Sequence, residues 1–442
     1  MPVESGAPHI RHEDIAPMQT TLTNTFRSTP HGQEAESILR ACVHCGFCAA
    51  TCPTYGLLGD ELDSPRGRIY LIKQALEGTA VSHRTQLHLD RCLSCRACET
   101  TCPSGVRYGR LLDIGRAVVE QRVRRPLRER VKRRLLCAVI PYERRFTLVL
   151  RLAQTLRILM PPALRRSIPP RQPLAPWPRS SHDRRMLALS GCVQASIAPN
   201  IDAATARVLD RLGISFVRAV GGGCCGALSY HLGAQEDGLE FARRNIDAWW
   251  PHIEMGAEAI VVNASGCGVM VKEYGHLLRE DPAYAERAVR VSAMALDISE
   301  ALKKEDRTTL IRTGKATARI AFHSPCSLQH GQKLSGVVES ILKDAGFELT
   351  PVPDAHLCCG SAGTYSLLQP QLSRRLLHQR ISALESGQPA AIGTANIGCL
   401  AHLQSRSSIP VKHWIELLDT GTSVTGLNAG KAPIEKVDPA IL

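Results

Sequence analysis

Short apolar runs alternate with longer stretches of helical period over the C-terminal part of the chain. Met186–Leu189, Ile214–Val217 and Ala259–Val262 are strand-length runs, as are Arg319–Phe322, Phe347–Thr350 and Ala391–Ile392 further on. Between them Ala203–Leu212, Glu236–Met255, Val337–Ala345 and Leu372–Glu385 read as helices. Strands alternating with helices predict α/β units with parallel sheets. The N-terminal part predicts helices instead: Glu34–Arg40, a helix entered at Ser64–Pro65 and running through Leu76, about His83–Asp90, and Leu111–Gln121. Serine followed by proline suits an N-cap and first helical position, because the hydroxyl accepts an orphan N–H and proline has none to lose.

The flanks and joints differ in pattern. Residues 1–33 are polar and mixed without sustained period, which predicts a disordered arm. After Gln121 comes a basic block (Arg122, Arg124, Arg125, Arg128, Arg130, Lys132, Arg133, Arg134), followed by apolar runs with interspersed arginines to Met160. Such basic amphipathic helices suit an anionic membrane surface, a partner or packing on their own domain. Seven prolines in residues 161–180 mark a linker. The expected order is therefore an arm (1–33), a helical domain (34–121), basic helices with a linker (122–180), two α/β domains (181–310 and 311–420) and a tail (421–442). The fold class is a multidomain α+β and α/β chain.

Composition narrows the setting. Hydrophobic residues at 44% and charged residues at 21% of 442 describe a soluble globular protein. No run of eighteen apolar residues occurs and the first forty residues carry no apolar signal core, so neither a membrane span nor a secretory signal is expected. Seventeen cysteines in so long a chain fall into metal-type clusters, and a reducing cytoplasm suits them. The excess of 54 Lys+Arg over 41 Asp+Glu gives +13, which points to an anionic lipid, an acidic partner or nucleic acid. Aromatics at 4% offer little stacking surface and no nucleic-acid motif is present, so nucleic acid is not expected.

The chemistry lies in the cysteines. Cys42, Cys45, Cys48 and Cys52-Pro53 form C-x2-C-x2-C-x3-C-P, and Cys92, Cys95, Cys98 and Cys102-Pro103 repeat it fifty residues later. This is the bacterial ferredoxin run for two [4Fe–4S] clusters, whose fourth cysteine ligates the other cluster. One cluster is thus assigned to Cys42, Cys45, Cys48 and Cys102, the other to Cys92, Cys95, Cys98 and Cys52. Zinc is the alternative, but it takes four ligands, usually as two separated pairs, and has no use for a third cysteine at this spacing. Arg66, Arg68, Arg91 and Arg96 are candidate charges beside the anionic clusters, or ordinary solvated arginines. Cys137 belongs to no pattern and reads as a small buried apolar residue.

The other eight cysteines form two matched sets: Cys192, Cys224-Cys225 and Cys267, then Cys326, Cys358-Cys359 and Cys399. The first gap is thirty-two positions in both, and the gap from pair to last is forty-two and then forty. Equal spacing of a rare residue indicates duplication. Each cysteine falls just past a predicted strand, where α/β folds build sites. Gly221-Gly222-Gly223-Cys224-Cys225-Gly226 matches a dinucleotide fingerprint formally, but the second copy shares only Cys-Cys-Gly, so a dinucleotide site is rejected.

Cys-Cys-Gly with flanking cysteines resembles the cysteine-rich domain of heterodisulfide reductases and respiratory dehydrogenase subunits. Two ferredoxin motifs ahead of two such domains resemble the iron–sulfur subunits of glycolate oxidases, over roughly residues 34–418. The stretches Leu39–Cys48, Asp60–Gln74, Asn245–Trp250 and Leu357–Tyr365 carry the resemblance most closely. More distant likeness extends to lactate-utilisation iron–sulfur proteins and the third subunit of anaerobic glycerol-3-phosphate dehydrogenases. The resemblance implies electron transfer from a partner subunit that holds FAD and oxidises glycolate to glyoxylate, with a second flavoprotein-like subunit completing the enzyme, towards quinone or another membrane acceptor. The expected place is the cytoplasm, with peripheral contact at the inner face of the cell membrane. Related lactate or glycerol-3-phosphate enzymes are the alternative, as is thiol–disulfide or quinone reduction at the Cys-Cys-Gly sites themselves. The family's closing C-x2-C is absent, with Met270 and His402 at its final position. That leaves a cubane, a zinc ion or metal-free thiols open at each set. His323, His330 and His402 near the second set read as hydrogen-bonded structural residues.

Overall fold

In the computed structural model, residues 18–161, 165, 168–311 and 318–419 are described. The chain divides into two compact units at Arg125/Pro126.

The first unit is helical. Its principal helices are α1 (Pro30–Ala41), α2 (Pro65–Leu76), α3 (His83–Asp90) and α4 (Tyr108–Arg122). Ser64 accepts the Gly67 N–H at 3.0 Å and Pro65 takes the first position of α2, as the sequence predicts. Leu39, Ile72, Leu76, Leu111 and Leu112 are buried between the helices. α2 and α4 approach so closely that a Cβ on Gly115 would meet Ile72 at 2.5 Å, so only glycine fits there. The expected disordered arm requires correction. Leu22 is buried, the Thr23 N–H donates to the Leu76 carbonyl at 3.2 Å, and α1 starts at Pro30 with Thr29 as its cap. One buried leucine and backbone pairing hold this segment, signals too local to show as a period; residues 1–17 lie outside the described residues. The unit also runs past Gln121: Arg125 is buried and pairs with Asp90 and Glu120.

The second unit begins with α5 (Leu127–Val139) and α6 (Glu143–Thr155) and then repeats one α/β design. In the first copy β1 (Arg184–Ala188), β2 (Ile214–Arg218), β3 (Ala259–Val262) and β4 (Ala295–Asp297) form a parallel sheet in the order β2-β1-β3-β4. In the second, β5 (Arg319–His323), β6 (Glu348–Leu349), β7 (Ala391–Thr394) and β8 (Val411–His413) follow the order β6-β5-β7-β8. β4 and β8 were not expected: three residues each, they carry no apolar run. The chain order reverses between β1 and β3, and between β5 and β7, and the crevice at such a switch point is where open parallel sheets build sites. The copies share one core that includes Phe216, Ile298, Phe322 and Trp414. They are also stitched by polar contacts, such as the His413 ring to the Asn263 carbonyl at 2.9 Å and Ser265 to Ser327 at 2.7 Å. The predicted division at residue 310 is therefore a repeat boundary within one packed unit. The expected tail, 421–442, lies outside the described residues.

Candidate metal centres

The two ferredoxin-type runs adopt the same unusual backbone. His44 and Ser94 have φ of 54° and 53°, and two residues later Gly46 and Arg96 have φ of 85° and 61°. Left-handed conformation costs an L-residue roughly 1–2 kcal/mol, so three non-glycine residues held there mark a strained functional loop. Gly46 and Arg96 then cap the short helices Phe47–Ala50 and Ala97–Thr101, which carry the third cysteine of each run. Pro53 takes the first position of the helix Pro53–Leu58, leading the chain away after Cys52.

The runs cross over. One cavity of about 440 Å³, partly open to solvent, is lined by Cys42, Cys45, Cys48 and Cys102 together with Arg66 and Tyr108. A second of about 300 Å³ is lined by Cys52, Cys92, Cys95 and Cys98 with Arg68, Arg96 and Tyr108. Each cavity gathers three cysteines of one run and the fourth of the other, while Cys98 borders both. Burial pushes the Cys42 thiol up and the Cys48 thiol up to about 11, with neighbouring cysteines adding to both. Four mutually repelling sulfurs around one void fit a cationic core that draws the protons off.

The four arginines separate into different roles. Arg68 is buried, its Nε donating to the His88 carbonyl at 2.7 Å and its Nη2 to Thr54 at 3.1 Å and Asp63 at 3.2 Å. Its Nη1 lies 3.9 Å from the Cys52 sulfur. Burial opposes the charge, but Cys92, Tyr108, Cys52 and Asp63 around it push its pKa upward. Arg91 pairs with the far oxygen of Asp63 at 2.8 Å, and Arg66, on the rim, pairs with Glu61 at 2.8 Å. Two residues escaped the sequence reading. The buried Tyr108 donates to the Cys92 sulfur at 3.6 Å, and Arg116 clamps the second loop through the Leu89 and Cys92 carbonyls, both at 2.8 Å, and Ser94 at 3.1 Å. Both stand on α4, outside either motif, so only the fold brings them there.

In the second unit each Cys-Cys-Gly set converges. Cys192 contacts Cys224, Cys224 contacts Cys225, and Cys225 contacts Cys267 through hydrogen-bonding sulfurs. The second set repeats the chain, with Cys326 Sγ 3.8 Å from Cys358 Sγ, then Cys358 to Cys359 and Cys359 to Cys399. Hydrogen bonding to Cys224 and burial push the Cys192 thiol well up, and Cys358 with burial does the same to Cys326. The shared glycine has a physical reason. Gly226 and Gly360 have φ of 87° and 86°, and a Cβ there would meet the Gly238 carbonyl oxygen at 2.3 Å or the Ser373 one at 2.7 Å. Each glycine N–H then points to the first sulfur of its pair at 3.4 Å.

The surroundings of the two sets differ. In the first, Asn245 holds the turn by donating to the Cys224 carbonyl and accepting from Gly223, both at 2.8 Å, while Tyr274 donates to the Cys225 carbonyl at 2.9 Å. In the second, Ser373 donates to the Gly360 carbonyl at 2.8 Å and meets His402 Nε2 at 3.1 Å. His330 meets the His356 carbonyl at 3.0 Å. The structural role expected of His330 and His402 agrees with these bonds. His323 is different: Nδ1 meets Thr394 at 3.0 Å, and a ring nitrogen clusters with the Cys359 and Cys399 sulfurs, all within 4.8 Å of one another. Burial pushes its pKa down to about 3, so the ring is neutral. Cys137 bonds Ser229 and joins neither set.

Comparison with known proteins follows the same division. The 4Fe-4S dicluster domain family matches residues 38–106, and the cysteine-rich domain family matches twice, at residues 186–272 and 320–404. The glycolate oxidase iron-sulfur subunit of Escherichia coli (strain K12) is 57% identical over 403 residues, covering 91% of this chain and 98% of its own. The probable glycolate oxidase iron-sulfur subunit of Bacillus subtilis (strain 168) is 31% identical over 84% of this chain and 89% of its own. Lactate utilization protein A of Bacillus licheniformis is 31% identical over 52% of this chain and 96% of its own.

Proposed function

The chain belongs to the glycolate oxidase iron–sulfur subunit family, and on that premise we propose the residues, route and surface by which it carries electrons. It is the electron-transfer subunit of an oxidoreductase acting on a CH–OH group, and the substrate chemistry lies on a partner subunit that holds FAD. Oxidation of glycolate to glyoxylate there releases two electrons and two protons. When bound, two [4Fe–4S] clusters supply one-electron chemistry. We assign one to Cys42, Cys45, Cys48 and Cys102, and the other to Cys52, Cys92, Cys95 and Cys98. The observation that carries this is the crossover of the two runs into two neighbouring cavities sharing Cys98 and Tyr108. Arg68 and Tyr108 direct donors at the sulfurs of Cys52 and Cys92, and Arg116 holds the loop that presents Cys92. The quartets Cys192, Cys224, Cys225, Cys267 and Cys326, Cys358, Cys359, Cys399 are assigned to further metal binding. The closing cysteine that the fuller pattern carries is absent, with Met270 and His402 in its place, which argues against thiol–disulfide exchange at these sites.

The acceptor is quinone in the membrane, reached through α5 and α6. Among the described residues no helix is long and apolar enough to cross a bilayer. Yet Leu127, Leu135, Leu148, Leu152, Ile158 and Leu159 on and just after these helices are exposed, between arginines. Apolar side chains with flanking cations suit the surface of an anionic bilayer. The assembled complex on phosphatidylglycerol vesicles carrying quinone is expected to oxidise glycolate at the expense of that quinone. Leu148→Glu with Leu152→Glu is expected to abolish vesicle-coupled turnover while a soluble dye is reduced at the original rate. Equal coupling by both proteins would overturn the membrane contact. Dye reduction with no quinone reduction by the unaltered complex would overturn the acceptor.

A further inference from the structure

The two cysteine-rich copies share the Cys-Cys-Gly turn and the order of their sulfurs, and among their differences one buried pair stands beside the sulfurs. Three positions before the first cysteine stands Leu189 in one copy and His323 in the other. Five positions before the last cysteine, at the end of the adjacent strand, stand Val262 and Thr394. All four are buried, at 6%, 2%, 1% and 0% exposure. An apolar Leu–Val pair thus fills the space in the first copy, and an imidazole with a hydroxyl fills it in the second.

Burying an imidazole is unfavourable unless both nitrogens are satisfied. His323 satisfies one: Nδ1 meets the Thr394 hydroxyl at 3.0 Å, whereas Nε2 has no protein partner. A histidine that binds a metal through one nitrogen characteristically has its other nitrogen hydrogen-bonded and the ring so fixed. The ring does not lie among apolar side chains alone, because a His323 nitrogen and the Cys359 and Cys399 sulfurs lie within 4.8 Å of one another. Donors around a tetrahedral zinc ion, with Zn–S about 2.3 Å and Zn–N about 2.0–2.1 Å, lie about 3.5–3.8 Å apart. The Cys326 and Cys358 sulfurs are themselves 3.8 Å apart. Among the described residues, the first copy's cysteines form no such mixed group.

We propose that the second cysteine-rich copy is a mixed sulfur–nitrogen site for a single zinc-type ion, bound by His323 Nε2, Cys359 and Cys399, with a fourth donor from the Cys326–Cys358 pair. The inference rests on the assignment of this quartet to metal binding and adds the ion's class and its nitrogen ligand. Thr394 is a positioning residue that fixes the ring, and Leu189 with Val262 removes the nitrogen donor from the first copy.

The test is zinc and iron analysis with zinc-edge X-ray absorption on full-length protein purified without air. The unaltered protein is expected to carry one zinc ion in a shell of three sulfurs and one nitrogen. His323→Leu with Thr394→Val, which installs the first copy's own apolar pair, is expected to lose that zinc and keep its ferredoxin-type iron. His323→Cys is expected to keep the zinc and exchange the nitrogen for sulfur. Zinc in an all-sulfur shell, or zinc retained unchanged in the double variant, overturns the role of His323 while leaving the quartet a metal site. Additional iron in place of zinc overturns the single-ion site. Absence of any metal beyond the two ferredoxin clusters overturns both the proposal and the quartet's assignment.

Discussion

Alanine at Cys102 is expected to remove the cluster of the first cysteine run while sparing that of its own. Cys102 follows the second run in the chain, but it lines the cavity of Cys42, Cys45 and Cys48. A linear reading of the motif, four consecutive cysteines to one cluster, gives the opposite outcome. The [4Fe–4S] cube takes four thiolates, and the fourth of each such run belongs to the other cluster. Iron is expected to fall from about eight to about four per chain at these two sites, leaving the signal of one isolated cluster. Cys52→Ala is the mirror experiment and is expected to lose the partner cluster. Combining Cys102→Ala with Cys42→Ala distinguishes the two arrangements: under crossover, both residues serve one cluster and the second substitution removes little more iron. Loss of both clusters from the pair, with half lost from each single variant, contradicts the crossover.

The second large effect is expected at Arg68. Its guanidinium lies buried between Asp63, Thr54, the His88 carbonyl and the Cys52 sulfur. Breaking a buried ion pair by removing one partner typically costs about 3–5 kcal/mol, because the remaining charge is left in low dielectric. Asp63 keeps Arg91 at 2.8 Å, which places Arg68→Met towards the lower end of that range. The same substitution withdraws a cation from one cluster site, so the reduced, more negative cluster loses stabilisation. The reduction potential of the cluster held by Cys52, Cys92, Cys95 and Cys98 is therefore expected to move negative, and that of its partner to move less. Arg68→Lys keeps the charge but cannot reproduce the fork, and is expected to fall between. Chemical denaturation and an EPR-monitored redox titration read the two effects separately. An unchanged potential in a well-folded Arg68→Met protein would remove the electrostatic role.

Local chemistry carried most of what was legible before the fold. α3 spans His83–Asp90 as expected, and Ser64 with Pro65 starts α2, because caps and prolines act within one turn. The repeat was legible because cysteine is rare and its spacing survives, and both four-stranded sheets follow that duplication. A different rule, that the fourth cysteine of each ferredoxin run serves the other cluster, grouped the cysteines that line each cavity. What escaped depends on distance. β4 and β8 are short strands ordered by the neighbour beside them, and Leu22 is placed by the helices it packs under. Tyr108 and Arg116 lie on a helix whose pattern shows only which face is apolar, not that this face meets the cluster loops. His323 was visible as a histidine near the second set, but its contrast with Leu189 emerges only once strand ends are aligned. The four candidate arginines were equivalent in sequence. Burial alone separates Arg68 from Arg66, one inside the fold and one on its rim.

The central claim is that this chain is a two-cluster conductor, and iron and acid-labile sulfide analysis with EPR tests it most directly. On full-length protein purified and reduced without air, the account predicts about eight irons and eight sulfides in the ferredoxin-type unit, with the split signals of two magnetically coupled [4Fe–4S] clusters. Little iron, no labile sulfide and zinc at both ferredoxin-type sites would contradict it.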